Sequence, residues 1–147
     1  ERNGFSSIVY SSRPESRGFI KLRDRDPLSA PAIYPNYFQS EQDLIDTRNG
    51  FRHTRRVFMQ PAFDEYRGQQ LKPEPDLDID DDQKLDQWIK KTAETLYHPV
   101  GTCKMGQDEM AVVDAQGRVY GLLGLRVVDA RVDGDREGLL GHLHHTQ

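Results

Sequence analysis

The chain has 147 residues, of which 35% are hydrophobic and 30% charged, and a formal net charge of -4. A mean hydropathy of -0.79 is polar for a chain that buries its own core, so the expectation is one domain, or part of one, that packs against something further. Basic residues are scattered, which argues against nucleic-acid binding. No apolar run approaches the roughly 20 residues of a membrane span. No signal-type segment opens the chain, and a lone cysteine leaves no intrachain disulfide and an open redox compartment. The chain opens on Glu1 instead of Met, which places the expected start of the protein elsewhere.

Gly18 to Leu22 alternates Phe19/Lys21 against Ile20/Leu22 and predicts a strand. Asp24-Arg25-Asp26-Pro27 ends it, because proline cannot continue a ladder. Ala32 to Phe38 is a second extended segment, confined by Pro31 and Pro35 to an edge or irregular strand. Ser40 caps a predicted helix with Asp43 in its first turn; Leu44, Phe51 and Phe58 recur along one stripe, and Pro61 ends it. Arg52, His53, Arg55 and Arg56 read as a solvated face of that helix. Gly68 to Pro75 reads as a loop.

Asp76, Asp78, Asp80, Asp81 and Asp82 suggest calcium at first sight. A calcium loop needs Gly at position six and Glu at twelve; counted from Asp76 those positions hold Asp81 and Gln87. The segment instead reads as an acidic helix start, capped by Asp81 or Asp82. The helix it opens places Leu85, Trp88, Ile89, Thr92, Ala93 and Leu96 on one stripe.

That periodicity leads into Tyr97-His98-Pro99-Val100-Gly101-Thr102-Cys103-Lys104-Met105-Gly106. Pro99 biases His98 away from helical dihedrals. Gly101 and Gly106 remove Cβ atoms where backbone must approach a flat ligand. Histidine suits proton transfer because its ordinary pKa of about 6.5 lies near working pH. Taken alone, a lone histidine is as well read as a turn or core residue. Further on, Gly117 and Gly121 punctuate two short predicted strands. Leu125, Val127 and Val128 form a buried-strand run with Asp129 at its end, either accepting from a ligand or capping a turn.

Together, Tyr97 to Gly106 and Gly124-Leu125-Arg126-Val127-Val128-Asp129-Ala130 resemble the C-terminal region of the glucose-methanol-choline (GMC) oxidoreductases. Ala111 to Asp114, Arg118 to Gly121, Ser16 to Leu22, Asp26-Pro27 and Ile33 to Phe38 fit in order and spacing. The nearest branch looks like the FAD-dependent glucose dehydrogenases that use quinone-type acceptors. The implied fold is α+β: part of the substrate-binding domain, an antiparallel sheet with flanking helices, plus a strand segment returning to the FAD domain. The N-terminal Rossmann-type FAD domain is expected to be absent, since no glycine-rich fingerprint occurs. Expected divisions are residues 1–96 as substrate-domain strands and helices, 97–130 as the histidine and flavin-contacting segment, and 131–147 as a divergent, disordered tail.

The resemblance implies FAD as cofactor, with a small alcohol or sugar and an electron acceptor as partners. It makes His98 the acid/base and sets Gly101, Thr102, Asp129 and Ala130 against the flavin; no metal site is expected. By itself the chain is expected to be inactive, for want of a phosphate cradle. One departure is Arg131 to Gln147, which lacks the family's Pro-containing loop and second catalytic His or Asn and carries His142, His144 and His145. It reads as a different ending of the same locus. The competing reading is a non-enzymatic binding or interaction module.

Overall fold

The computed structural model describes residues 4–132. In chain order these form β1 (Phe19–Lys21), β2 (Ala32–Tyr34), α1 (Glu41–Phe58), a 3₁₀ turn (Pro61–Phe63), α2 (Asp82–Thr92) and a second 3₁₀ turn (Ala130–Val132). Two units emerge from the contacts. The first takes Phe38–Glu94 with the opening segment through Ser11, the second Ser12–Tyr37 with the chain from Thr95 onward. Both strands, Phe19–Lys21 and Ala32–Tyr34, fall in the second unit.

In the first unit, the Ser40 hydroxyl accepts the Gln42 amide at 3.1 Å and starts α1 as expected. Glu41 and Asp43 occupy its first turn and Arg55 and Arg56 its last, each complementing the helix dipole. Leu44 packs with Leu85 and Ile89 of α2 into a small core bordered by Phe38, Phe51, Leu77 and Trp88. Full burial of Leu85 contributes about 1.5–3 kcal/mol. The stripe on α1 divides at its end. Phe51 stacks obliquely on Trp88 at 5.7 Å, whereas Phe58 joins Phe5 and Phe63 in a separate cluster at 5.1 and 5.3 Å.

Asp81 is the cap of α2, accepting the amides of Gln83 and Lys84 at 2.9 and 3.1 Å. The helix is shorter than its apolar spacing suggests. Ala93 turns extended (ψ 137°) while its amide closes on Ile89, so Leu96 lies outside it. The Thr92 hydroxyl donates back to the Trp88 carbonyl at 2.8 Å. His98 therefore does not sit at a helix exit; an extended segment intervenes.

The arginines of α1 are not all solvated. Arg52 donates through Nε and Nη2 to the Ile79 carbonyl (3.0 and 2.8 Å), to the Asp80 carbonyl (3.2 Å) and to Asp82 (2.7 Å). Arg48 pairs with Asp86 at 2.8 Å. These bonds hold the acidic approach to α2 against α1.

In the second unit, β1 and β2 pair antiparallel, with Phe19 opposite Tyr34, Ile20 opposite Ile33 and Lys21 opposite Ala32. The Phe19 and Tyr34 rings stack at 4.5 Å, and the Lys21 ammonium lies over both. Pro31 and Pro35 bracket β2, and three residues is all the ladder they leave. The strands expected around Val112, Val119 and Val127 reduce to isolated bridges, Met105–Val113, Val113–Val119 and Arg118–Arg126. Val113 is fully buried at their crossing, but Val128, expected inside, is 84% exposed. No helix among the described residues is long and apolar enough to cross a membrane.

Candidate functional site

After the extended stretch from Ala93, the chain reverses at Tyr97, whose φ is +62°. Its amide donates to the Thr95 hydroxyl at 3.1 Å. Non-glycine residues adopt this left-handed conformation rarely and at a cost of about 1–2 kcal/mol. His98 follows and is exposed, held between the reversed residue and Pro99. Its ring makes no hydrogen bond to a described residue. Gly101 then takes φ +81°, which explains glycine at that position in conformational terms. Gly106, by contrast, is packed within its own segment. Its nearest neighbours are the chain's own Asp108 and Ala111 side chains, and its carbonyl accepts the Tyr120 hydroxyl at 2.8 Å.

Beyond Thr102 the backbone runs beside the Ala130–Val132 turn. The Cys103 amide donates to the Arg131 carbonyl and the Met105 amide to the Val132 carbonyl, both at 2.9 Å. This pairing brings Thr102 into the same neighbourhood as Asp129 and Ala130, which lie some 30 residues on by chain position. Asp129 caps the turn: it accepts the Arg131 amide at 2.7 Å and the Arg131 guanidinium at 3.1 Å. This local cap is one of the two roles its sequence position left open.

Ionised partners surround this backbone. Lys104 donates to Asp108 at 2.7 Å, and that bond, with the Met110 amide, holds the Asp108 carboxyl below the usual range. Lys104 is thereby committed to an ion pair. Burial opposes ionisation of Asp114, but bonds from the Arg118 amide and guanidinium and the Gln116 amide outweigh it and lower its pKa. The same carboxylate builds the turn that ends at Gly117. Gly117 has φ +71°, and a Cβ there would meet the Val127 carbonyl at 2.9 Å. Sequence reasoning missed the Thr95–Tyr97 turn, because neither residue carries the Gly or Asn signature of a reversed backbone.

A family model described as GMC oxidoreductase matches residues 14–132. The chain belongs to the GMC oxidoreductases. Curated relatives include the oxygen-dependent choline dehydrogenases of Chromohalobacter salexigens, 52% identical over 130 residues, and Cronobacter sakazakii, 50% identical over 132. These alignments cover 88% and 90% of this chain and 23% of each relative, so the chain spans about a quarter of the length of the relatives it matches. Among solved structures, pyridoxine 4-oxidase from Mesorbium loti superposes with a TM-score of 0.75 at 30% identity, covering 86% of this chain and 24% of that one. Formate oxidase gives 0.70 at 27% identity, covering 86% and 22%. The relatives named here are choline dehydrogenases and pyridoxine and formate oxidases, and the narrower likeness to glucose dehydrogenases receives no specific support.

GMC oxidoreductases are FAD-dependent. Of the residues expected against the flavin, Gly101 is half-buried and Thr102, Asp129 and Ala130 are exposed. Among the described residues, no glycine-rich turn opens either helix as a cradle for the phosphate end. Phosphates favour free amides at a helix N-terminus, and here Ser40 and the carboxylate of Asp81 already take the amides that open α1 and α2. His142, His144 and His145, read as a tail with no metal, lie outside the described residues, as does all of the tail beyond Val132.

Proposed function

We propose that this chain supplies the proton-handling, ring-facing part of an FAD-dependent oxidoreductase acting on the CH–OH group of a small alcohol, with His98 as acid/base. The observation that supports this is the exposed His98 between the reversed Tyr97 and Pro99, followed by the backbone pairing of Cys103 with Arg131 and Met105 with Val132. FAD, when bound, would accept hydride from the carbinol carbon. The His98 imidazole takes the hydroxyl proton through its free ring nitrogen. Losing that proton concentrates negative charge on the substrate oxygen, which weakens the neighbouring C–H bond toward hydride departure. A positioned base of this kind contributes roughly 10² to 10⁴-fold. Gly101 and Ala130 keep side-chain bulk away from the ring, and Thr102 and Asp129 present backbone and polar atoms to it.

The relatives favour choline as the first substrate to assay, with pyridoxine and glucose as comparators, and oxygen ahead of a quinone as acceptor. Leu22, Leu28 and Leu123, among the most exposed apolar side chains, are surfaces the remainder of such an enzyme covers. The test is turnover of the FAD-loaded enzyme carrying this segment. His98→Ala is expected to lower kcat by about two orders of magnitude or more; turnover equal to the wild type removes His98 from the mechanism.

A further inference from the structure

The reversed turn before His98 uses residues that the proton-transfer reading leaves without a role. Tyr97 holds φ +62° without being glycine or asparagine. Its ring is 79% exposed, so within this unit side-chain packing does not impose that backbone. The described contact that does is a single hydrogen bond, from the Tyr97 amide to the Thr95 hydroxyl at 3.1 Å. Unfavourable backbone conformations persist only where surroundings over-determine them. Here the determinants are a hydroxyl two residues upstream and a proline two residues downstream.

We propose that Thr95 and Tyr97 are positioning residues for His98. The Thr95 hydroxyl, by accepting the Tyr97 amide, selects the left-handed turn, and that turn sets the direction in which the imidazole leaves the backbone. Pro99 fixes the peptide on the other side, and the reversal at Gly101 returns the chain toward the pairing of Cys103 with Arg131. His98 thus follows a constrained backbone, and its ring makes no hydrogen bond to a described residue. A ring left free of such a bond keeps its unprotonated nitrogen available to accept a proton. Relaxing the turn to an ordinary negative φ would swing the His98 Cα–Cβ vector away from its present direction. Small misplacements of a reacting group are kinetically expensive, because orientation alone can supply orders of magnitude in rate. The inference rests on the proposed role of His98.

Two measurements test it. In the full chain, the amide-to-Hα three-bond coupling of Tyr97 and the backbone-to-ring Overhauser contacts of His98 report the turn directly. Thr95→Ala is expected to lose the pattern of the left-handed turn, and Thr95→Ser, which keeps the acceptor oxygen, to retain it. An unchanged pattern in Thr95→Ala, or the same loss in both variants, overturns the proposal. In the FAD-loaded enzyme carrying this segment, Thr95→Ala is expected to lower kcat roughly 10- to 100-fold with KM little changed, and Thr95→Ser to restore it. Wild-type kcat in Thr95→Ala overturns the positioning role when His98→Ala is severely impaired. If His98→Ala is itself silent, the reading of His98 fails, while the coupling measurement still judges the turn.

Discussion

Replacing Arg52 by alanine removes the clamp between α1 and the start of α2. The guanidinium is about a quarter exposed (26%) and makes its strongest contacts to the Ile79 carbonyl at 2.8 and 3.0 Å. A hydrogen bond from a charged donor to a partly buried carbonyl contributes about 1.5–3 kcal/mol. The ion pair to Asp82 adds little, roughly 0.2–1 kcal/mol, because that carboxylate is 54% exposed. Arg52→Ala should therefore destabilise the first unit by about 2–3 kcal/mol. Asp82→Asn, which removes only the ion pairs to Arg52 and Arg48, should cost under about 1 kcal/mol. Arg52→Lys should recover less than half of the loss, since an ammonium cannot reproduce the planar fork. Trp88, the single tryptophan, lies against Phe51 across the same helix pair and reports the transition in urea by fluorescence. An Arg52→Ala midpoint equal to wild type, or an Asp82→Asn loss as large as that of Arg52→Ala, would refute the clamp.

The Asp81 cap gives a pH prediction. The Lys84 amide donating to Asp81, with lesser help from the Lys84 ammonium and the Gln83 amide, lowers its pKa below the ordinary 3.8. A carboxyl depressed in the folded state contributes stability above its unfolded pKa and loses it as pH falls through the folded value. The urea midpoint difference between wild type and Asp81→Asn should be constant from neutral pH to about 5 and shrink below about 4; a difference independent of pH contradicts this assignment. Gly117→Ala should destabilise the second unit by roughly 2–4 kcal/mol, since the left-handed φ and the approach of the Val127 carbonyl both oppose a Cβ. Gly124→Ala, at φ +76° with open space around it, should cost only the backbone part, about 1–2 kcal/mol. Near-equal losses by thermal melting would remove the close approach as a cause. Leu85→Ala, at the fully buried centre of the first unit, should cost about 2–5 kcal/mol, read from the same urea transition.

What was legible in the sequence was local. Ser40 and Asp81 announce their helices because a short side-chain oxygen before an apolar period is what free helix amides require. Leu44, Leu85 and Ile89 are recognisable as core from spacing alone. The end of α2 was not legible. Leu96 continues the apolar period, but the backbone turns extended at Ala93 and the helix ends first. Arg52 read as solvated because its partners lie 27 to 30 residues away, beyond any periodicity. The same holds for the meeting of Cys103 with Arg131: the motif placed both segments in the family, but only backbone pairing places them side by side. The bridges around Val113 read as strands because alternation is visible in sequence while ladder length is set by partners.

The central claim is that His98 receives a proton from an alcohol. The most direct test is chemical rescue in the FAD-loaded enzyme carrying this segment, with His98→Ala assayed on choline in the presence of added imidazole. The account predicts a large loss of kcat in the variant and a recovery that rises with the concentration of neutral imidazole, while the wild type is indifferent to it. A variant that turns over as fast as the wild type, or one that is slow and gains nothing from imidazole in an intact, flavin-loaded fold, would contradict it.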